Sequence, residues 1–182
     1  MKNIKKLFFL GITLCLFLTG CSKKESNEDS TAILYESYYE SISSNTSYVE
    51  TSEKYSLSAE LTKVASGSYC YKIILDDAQV AMYDIVMMVV EDDVSYADSS
   101  KMMPSVGIYD DSYSLIPNQV NRNRNYVKGV VLSGETTNNS ITLKLLVEWS
   151  NKSHEKTFRE FWNITLNEEN SSFNSQELVS NE

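Results

Sequence analysis

About seven short runs of alternating apolar and polar residues between Tyr55 and Leu166, joined by polar turns and almost free of helical periodicity, predict an antiparallel two-sheet β-sandwich. The expected type is immunoglobulin-like or fibronectin-III-like, with an antiparallel meander or small barrel as the alternative. The immunoglobulin spacing of Cys and Trp is absent, so the expectation rests on strand number and alternation. A stretch of about 115 residues suits one domain with a single core.

The strand runs follow in order. Tyr55, Leu57, Ala59 and Leu61 alternate with Ser56, Ser58, Glu60 and Thr62; Ser66-Gly67 turns the chain, and Tyr69, Tyr71, Ile73 and Leu75 form the apolar side of the next run. That is a hairpin pattern. Met82 to Val90 is apolar on both sides except for Asp84, as a strand covered on both faces would be. Shorter β-type runs occupy Val106–Tyr109 and Tyr126–Leu132. Ile141, Leu143, Leu145, Val147 and Trp149 then form an apolar face, with Thr142, Lys144 and Glu148 facing water. After a turn at Ser150–Ser153, Phe158, Trp162, Ile164 and Leu166 alternate apart from the swapped pair Glu160 and Phe161. A bulge near Glu160 is expected to restore register.

Ahead of the strands, Leu34, Tyr35, Tyr38, Tyr39 and Ile42 fall on one face of a possible short helix over Thr31–Ser43, with Glu36 and Glu40 opposite. An edge strand or a continuation of the tether fits the same residues. The polar stretch Ser22–Ser30 reads as a flexible tether.

At the N-terminus, Lys2, Lys5 and Lys6 precede an apolar run from Leu7 to Leu18 that is broken only by Gly11 and Thr13, the layout of a secretory signal. As a helix this run reaches about 18 Å against a hydrocarbon layer of about 30 Å, too short for a permanent span. It ends in Leu18-Thr19-Gly20-Cys21, which resembles the lipobox of bacterial lipoproteins. The resemblance implies a diacylglyceryl group on the Cys21 thiol, cleavage of the Gly20–Cys21 bond, and a palmitate-type anchor on the outer, extracytoplasmic face of the cell membrane. More than one acyl chain is needed, because a single chain holds only reversibly. The domain plan is therefore 1–20 signal peptide, 21–50 tether with a possible short helix, 51–166 β-sandwich and 167–182 disordered acidic tail.

Losing Lys2, Lys5 and Lys6 from 16 basic residues leaves 13 against 25 acidic ones, a net charge of −12. Such a body is repelled by polyanions, which argues against nucleic acid as a partner. Of three cysteines, Cys15 leaves with the signal and Cys21 takes lipid, so Cys70 has no partner for an intramolecular disulfide. In its apolar run it reads as a buried structural thiol, not a nucleophile.

Searches for catalytic chemistry yield no assembly. The single histidine, His154, lies in a polar turn, which excludes a metal site with two histidines and a conventional Ser-His-Asp triad on rigid strands. Phosphate-binding glycine loops are absent. No cofactor is implied and an enzyme is not expected. Asp76-Asp77, Glu91-Asp92-Asp93 and Asp110-Asp111 fall at strand ends and would be a weak calcium site if one pole gathered all three; turn-forming acids are the plainer explanation.

Recognition is expected instead on two long loops, Ser95–Pro104 and Asp111–Asn125, which carry Tyr96, Met102, Met103, Tyr113, Leu115, Ile116, Arg122 and Arg124. Aromatic, Met and Arg side chains are enriched at protein interfaces. Leu115 and Ile116 could instead fold back over the core, with the arginines merely solvated. The leading functional expectation is a noncatalytic binding or accessory module at the cell surface, with a protein, peptide or cell-wall partner. The alternative is an immunity or sequestering lipoprotein that captures a cationic antimicrobial peptide.

Overall fold

The computed structural model describes residues 25–64 and 67–176. One sheet consists of β1 (Ser56–Lys63), β2 (Tyr69–Asp76), β6 (Gly129–Thr136) and β9 (Ser172–Asn174), in the order β6-β2-β1-β9. The other holds β3 (Met82–Glu91), β4 (Ser105–Val106), β5 (Tyr113–Leu115), β7 (Ser140–Ser150) and β8 (Thr157–Asn167), in the order β4-β3-β7-β8, with β5 also on β3. Every strand pair is antiparallel. β6 returns to β2 and β7 returns to β3, so the expected sandwich forms and the meander does not. In side-by-side order β1, β2 and β6 lie as strands A, B and E of an immunoglobulin-like domain do, and β3, β7 and β8 lie as C, F and G do.

Alternation fills the space between the sheets. Leu57, Tyr71, Ile73 and Leu75 from one side meet Met87, Val89, Leu143, Leu145 and Trp162 from the other, all buried. Each such side chain contributes about 1.5–3 kcal/mol on leaving water.

A third layer lies outside the second sheet. Helix α1 (Glu25–Ser44) lays Tyr35, Tyr38, Tyr39 and Ile42 over Val86, Met88 and Val90 of β3 and Leu146 of β7. This is why the Met82–Val90 run is apolar on both sides. Leu34, assigned by spacing to the buried face, is 44% exposed. Among the described residues no helix is long and apolar enough to cross a membrane.

The packing corrects several boundaries. Residues 35–50 belong to the folded body, because α1 from Tyr35 onward covers a sheet face that would otherwise expose Met88 and Leu146, and Val49 donates its N–H to the Phe161 carbonyl at 2.9 Å. The chain after 167 is likewise not a free tail. β9 pairs with β1, Leu61 N–H reaches the Ser171 carbonyl at 2.7 Å, and Ser175 Oγ accepts the Leu57 N–H at 2.9 Å. Residues 177–182 of the expected tail, and the signal and Cys21, lie outside the described residues.

The bulge is also elsewhere. β7 and β8 pair without interruption from Ser140↔Asn167 to Ser150↔Thr157. Glu160 therefore points to the inter-sheet side, where its carboxylate meets Lys54 at the margin, and Phe161 packs toward the helix layer. The break in register falls in β3 at Asp84, the one polar residue of that run, with φ +49°. Cys70 is only half-buried, on the wet face of β2 with Lys72. Glu148, expected to face water, is buried under α1.

Candidate functional site

Strand pairing decides which loops meet. At one pole lie the ends of β2 and β7 and the starts of β1, β3, β6 and β8, with the 77–81, 116–128 and 151–156 connections. The opposite pole gathers the β1–β2 turn, residues 92–93 and the β6–β7 turn. The acidic pairs are split accordingly. Asp76 and Asp77 sit at the first pole, Asp92 and Asp93 at the second, and Asp110 and Asp111 in the connection between β4 and β5 on the sheet edge. Two of the three groups are used locally: Asp92 Oδ1 accepts the Thr142 N–H at 2.9 Å, Asp93 pairs with Lys144, and Asp110 Oδ1 accepts the Gly107 N–H at 2.7 Å. No group of three or more metal-ligating side chains occurs among the described residues, and the acids expected to share a calcium ion stand at different ends of the molecule.

The recognition residues are split as well. Arg122 and Arg124 stand exposed at the first pole on a single 3-10 turn, capped by Asn121 Oδ1 on the Asn123 N–H at 3.1 Å. Among the described residues neither guanidinium has an ion-pair partner. Leu115 folds into the core, and Tyr113 is half-buried against it. Beside them Asp76, Asp77, Gln119, Lys128, Pro117 and neighbouring residues line a polar recess of about 590 Å³. Burial, and then the charge of Asp77, push the Asp76 carboxyl above its ordinary value. His154 is at this pole too, with Nδ1 held 2.6 Å from Asp84 Oδ2.

Met103 is not a surface residue: it is buried in the helix layer, and its N–H donates to the Tyr35 hydroxyl at 2.6 Å. Of the expected contact residues, Tyr96 and Met102 alone converge, and they do so with three tyrosines that the loop-based reading left out. Tyr35 and Tyr39 of α1 form the floor of a groove of about 550 Å³; Tyr96, Met102 and Tyr109 rise around it, 41%, 63% and 51% exposed. The rings touch in sequence: Tyr39 to Tyr96 at 5.4 Å, Tyr35 to Tyr109 at 5.6 Å and Tyr35 to Tyr39 at 6.3 Å between centroids, all tilted or edge-on.

Hydrogen bonds fix the floor. Tyr39 donates to the Val94 carbonyl at 2.8 Å, and burial raises the pKa of both floor phenols, so they are neutral. Tyr96 and Tyr109 have no hydroxyl partner among the described residues and are partly exposed. Lys101, also in the lining, holds Glu91 Oε2 at 2.7 Å and the Glu135 carbonyl at 3.0 Å. Beneath the helix, Tyr38 donates to Glu148 Oε1 at 2.6 Å while Arg159 pairs with Glu148 Oε2 and lies over the Tyr38 ring.

A groove of this composition offers ring faces, hydroxyls and cation–π contact to a ligand. The signal that could have located it is the tyrosine count, 12 in the chain, with three on one helical face. Comparison with protein-family models, curated proteins and solved structures finds no match to this chain.

Proposed function

We propose that the protein is a noncatalytic binding module, lipid-anchored through Cys21 on the outer face of the cell membrane, whose recognition surface is the tyrosine groove between α1 and the 95–103 loop. The observation that carries the binding role is the exposure of Tyr96, Met102 and Tyr109 around a floor that hydrogen bonds hold rigid. Exposed aromatic and Met side chains clustered on ordered backbone are the composition of interface hot spots. A noncatalytic role accords with a groove lining that does not include His154, the single histidine. Anchoring rests on the lipobox-like Leu18-Thr19-Gly20-Cys21 after a signal of the right length.

Two experiments test the two halves. Palmitate labelling of cells carrying Cys21→Ala should show no incorporation; label retained in the mutant refutes the anchor. A photo-crosslinking residue at position 102 should capture an envelope component that one at position 124 does not, and the reverse pattern would return the site to Arg122 and Arg124.

A further inference from the structure

We infer that the tyrosine groove takes a neutral glycan, a chain of sugar rings without carboxylate, sulfate or amine; the inference rests on the groove reading above and names its ligand. Charge is the first observation. The lining contains no acid, and its single cation, Lys101, already meets three acceptors: Glu91 Oε1 at 3.0 Å, Glu91 Oε2 at 2.7 Å and the Glu135 carbonyl at 3.0 Å. An ammonium has three N–H donors, so Lys101 is fully engaged. A charged ligand would lose water on entering this groove and find no free counter-charge in it, a penalty that a neutral ligand escapes.

Hydrogen-bonding capacity is the second observation. The hydroxyls of Tyr96, Ser100 and Tyr109 belong to the lining and have no partner among the described residues. Each can both donate and accept. An apolar ligand laid over them would strip their water and return no hydrogen bond, whereas sugar hydroxyls have the same dual character and replace that water bond for bond. The third observation is the ring faces: Tyr96 and Tyr109 are partly exposed beside the Tyr35 and Tyr39 floor, and Met102 adds an apolar flank. The negative face of an aromatic ring attracts positively polarised hydrogens, and the C–H face of a sugar ring presents them next to its rim of hydroxyls. A glycan thus engages both rings and hydroxyls, where an apolar side chain engages the rings alone. The volume agrees, since about 550 Å³ lies within the usual range of ligand sites.

The test uses the purified full chain and four probes: neutral tetrasaccharides of glucose, of mannose and of N-acetylglucosamine, and a tetra-uronate as the acidic twin of the glucose chain. Titration followed by ligand-observed NMR should show at least one neutral tetrasaccharide binding at least tenfold tighter than the uronate, with an affinity that salt does not change. Tyr96→Ala with Tyr109→Ala should weaken it at least tenfold without moving the melting temperature, because both side chains are partly exposed. Tyr96→Phe with Tyr109→Phe keeps the rings and should still weaken it about threefold, through the lost hydroxyls. Full affinity in the phenylalanine variant overturns the hydroxyl match that selects a glycan. If no neutral tetrasaccharide binds, or the uronate binds as tightly, while a crosslinker at position 102 still captures an envelope component, the glycan is overturned and the groove stands. Glycan binding that survives the alanine substitutions, or absence of both binding and capture, overturns the ligand and the groove together.

Discussion

The two apolar layers on either side of the β3–β7 sheet are held by different chemistry. Between the sheets, cohesion comes from aliphatic side chains and from Trp149 and Trp162, with Tyr55 and Tyr71 at the margins, where their hydroxyls meet Trp162 Nε1 and Glu91. Under α1 the area is smaller, and three of the four buried helix residues are tyrosines whose hydroxyls reach Met103, Glu148 and Val94 on the body beneath. Area alone would let a helix slide or rotate on a sheet. Three hydroxyls at fixed positions give α1 one seat, and with it the groove above Tyr35 and Tyr39 one shape.

The largest expected effect is in the inter-sheet layer. Trp149 is packed edge-on to Tyr55 at 5.8 Å and stacked on Phe158 at 5.5 Å, so Trp149→Ala should cost about 3–5 kcal/mol, read from denaturant unfolding. A loss under about 1 kcal/mol would mean that the helix layer, not this one, dominates stability.

Alkaline titration probes both layers at once. Burial, first of all, holds the Tyr55 and Tyr71 phenols well above their ordinary value of 10.0, with carboxylates of Glu160 and Glu91 adding to it. Their folded pKa exceeds the unfolded one, so this stability is complete below about pH 10 and is lost as pH rises beyond it. Two such groups give a slope of about 2.7 kcal/mol per pH unit above that point. Absorbance near 295 nm should show these tyrosines ionising only with unfolding; ionisation with an ordinary pKa in the folded chain would contradict their burial.

Smaller effects belong to the helix layer. Glu148→Ala leaves the buried Tyr38 hydroxyl without its acceptor and the half-exposed Arg159 without its ion pair, and should cost about 2 kcal/mol. Tyr38→Phe removes one hydroxyl and keeps the ring, so about 1 kcal/mol is expected. Hydrogen exchange should place both losses in α1 before the sandwich. Uniform loss across the molecule would show that helix and sandwich unfold as one unit.

Glu148 also shows where the sequence was legible. β1, β2, β7 and β8 are readable from alternation because each has one inter-sheet face, and β3 is readable as doubly covered because both faces are apolar. The same reasoning misplaced Glu148: Lys144 and Thr142 on its side of β7 are polar, and the contrary signal was a single residue, Leu146, buried under Tyr38 and Ile42. Phe161 beside Glu160 carries that message too, although alternation alone makes it look like a register fault. Both mark a sheet face covered over half its width, which alternation within one strand cannot reveal. The loops were harder. Whether Tyr96 neighbours Arg124 or Tyr39 depends on strand order, and no local pattern encodes it.

The start of α1 at Glu25 limits how far this protein can stand from its support. Three residues separate Glu25 from Cys21, and at up to about 3.6 Å per residue the chain between them spans no more than about 14 Å whatever its conformation. With the lipid on Cys21 proposed above, this stretch and the first ten residues of α1, at 1.5 Å each, would place the packed body within about 30 Å of the bilayer. Surface charge is screened over about 8 Å at physiological salt, so an acidic body on such a leash is free of the lipid's repulsion at full extension and feels it on contact. Under that proposal, a soluble partner would be met within that distance of the membrane.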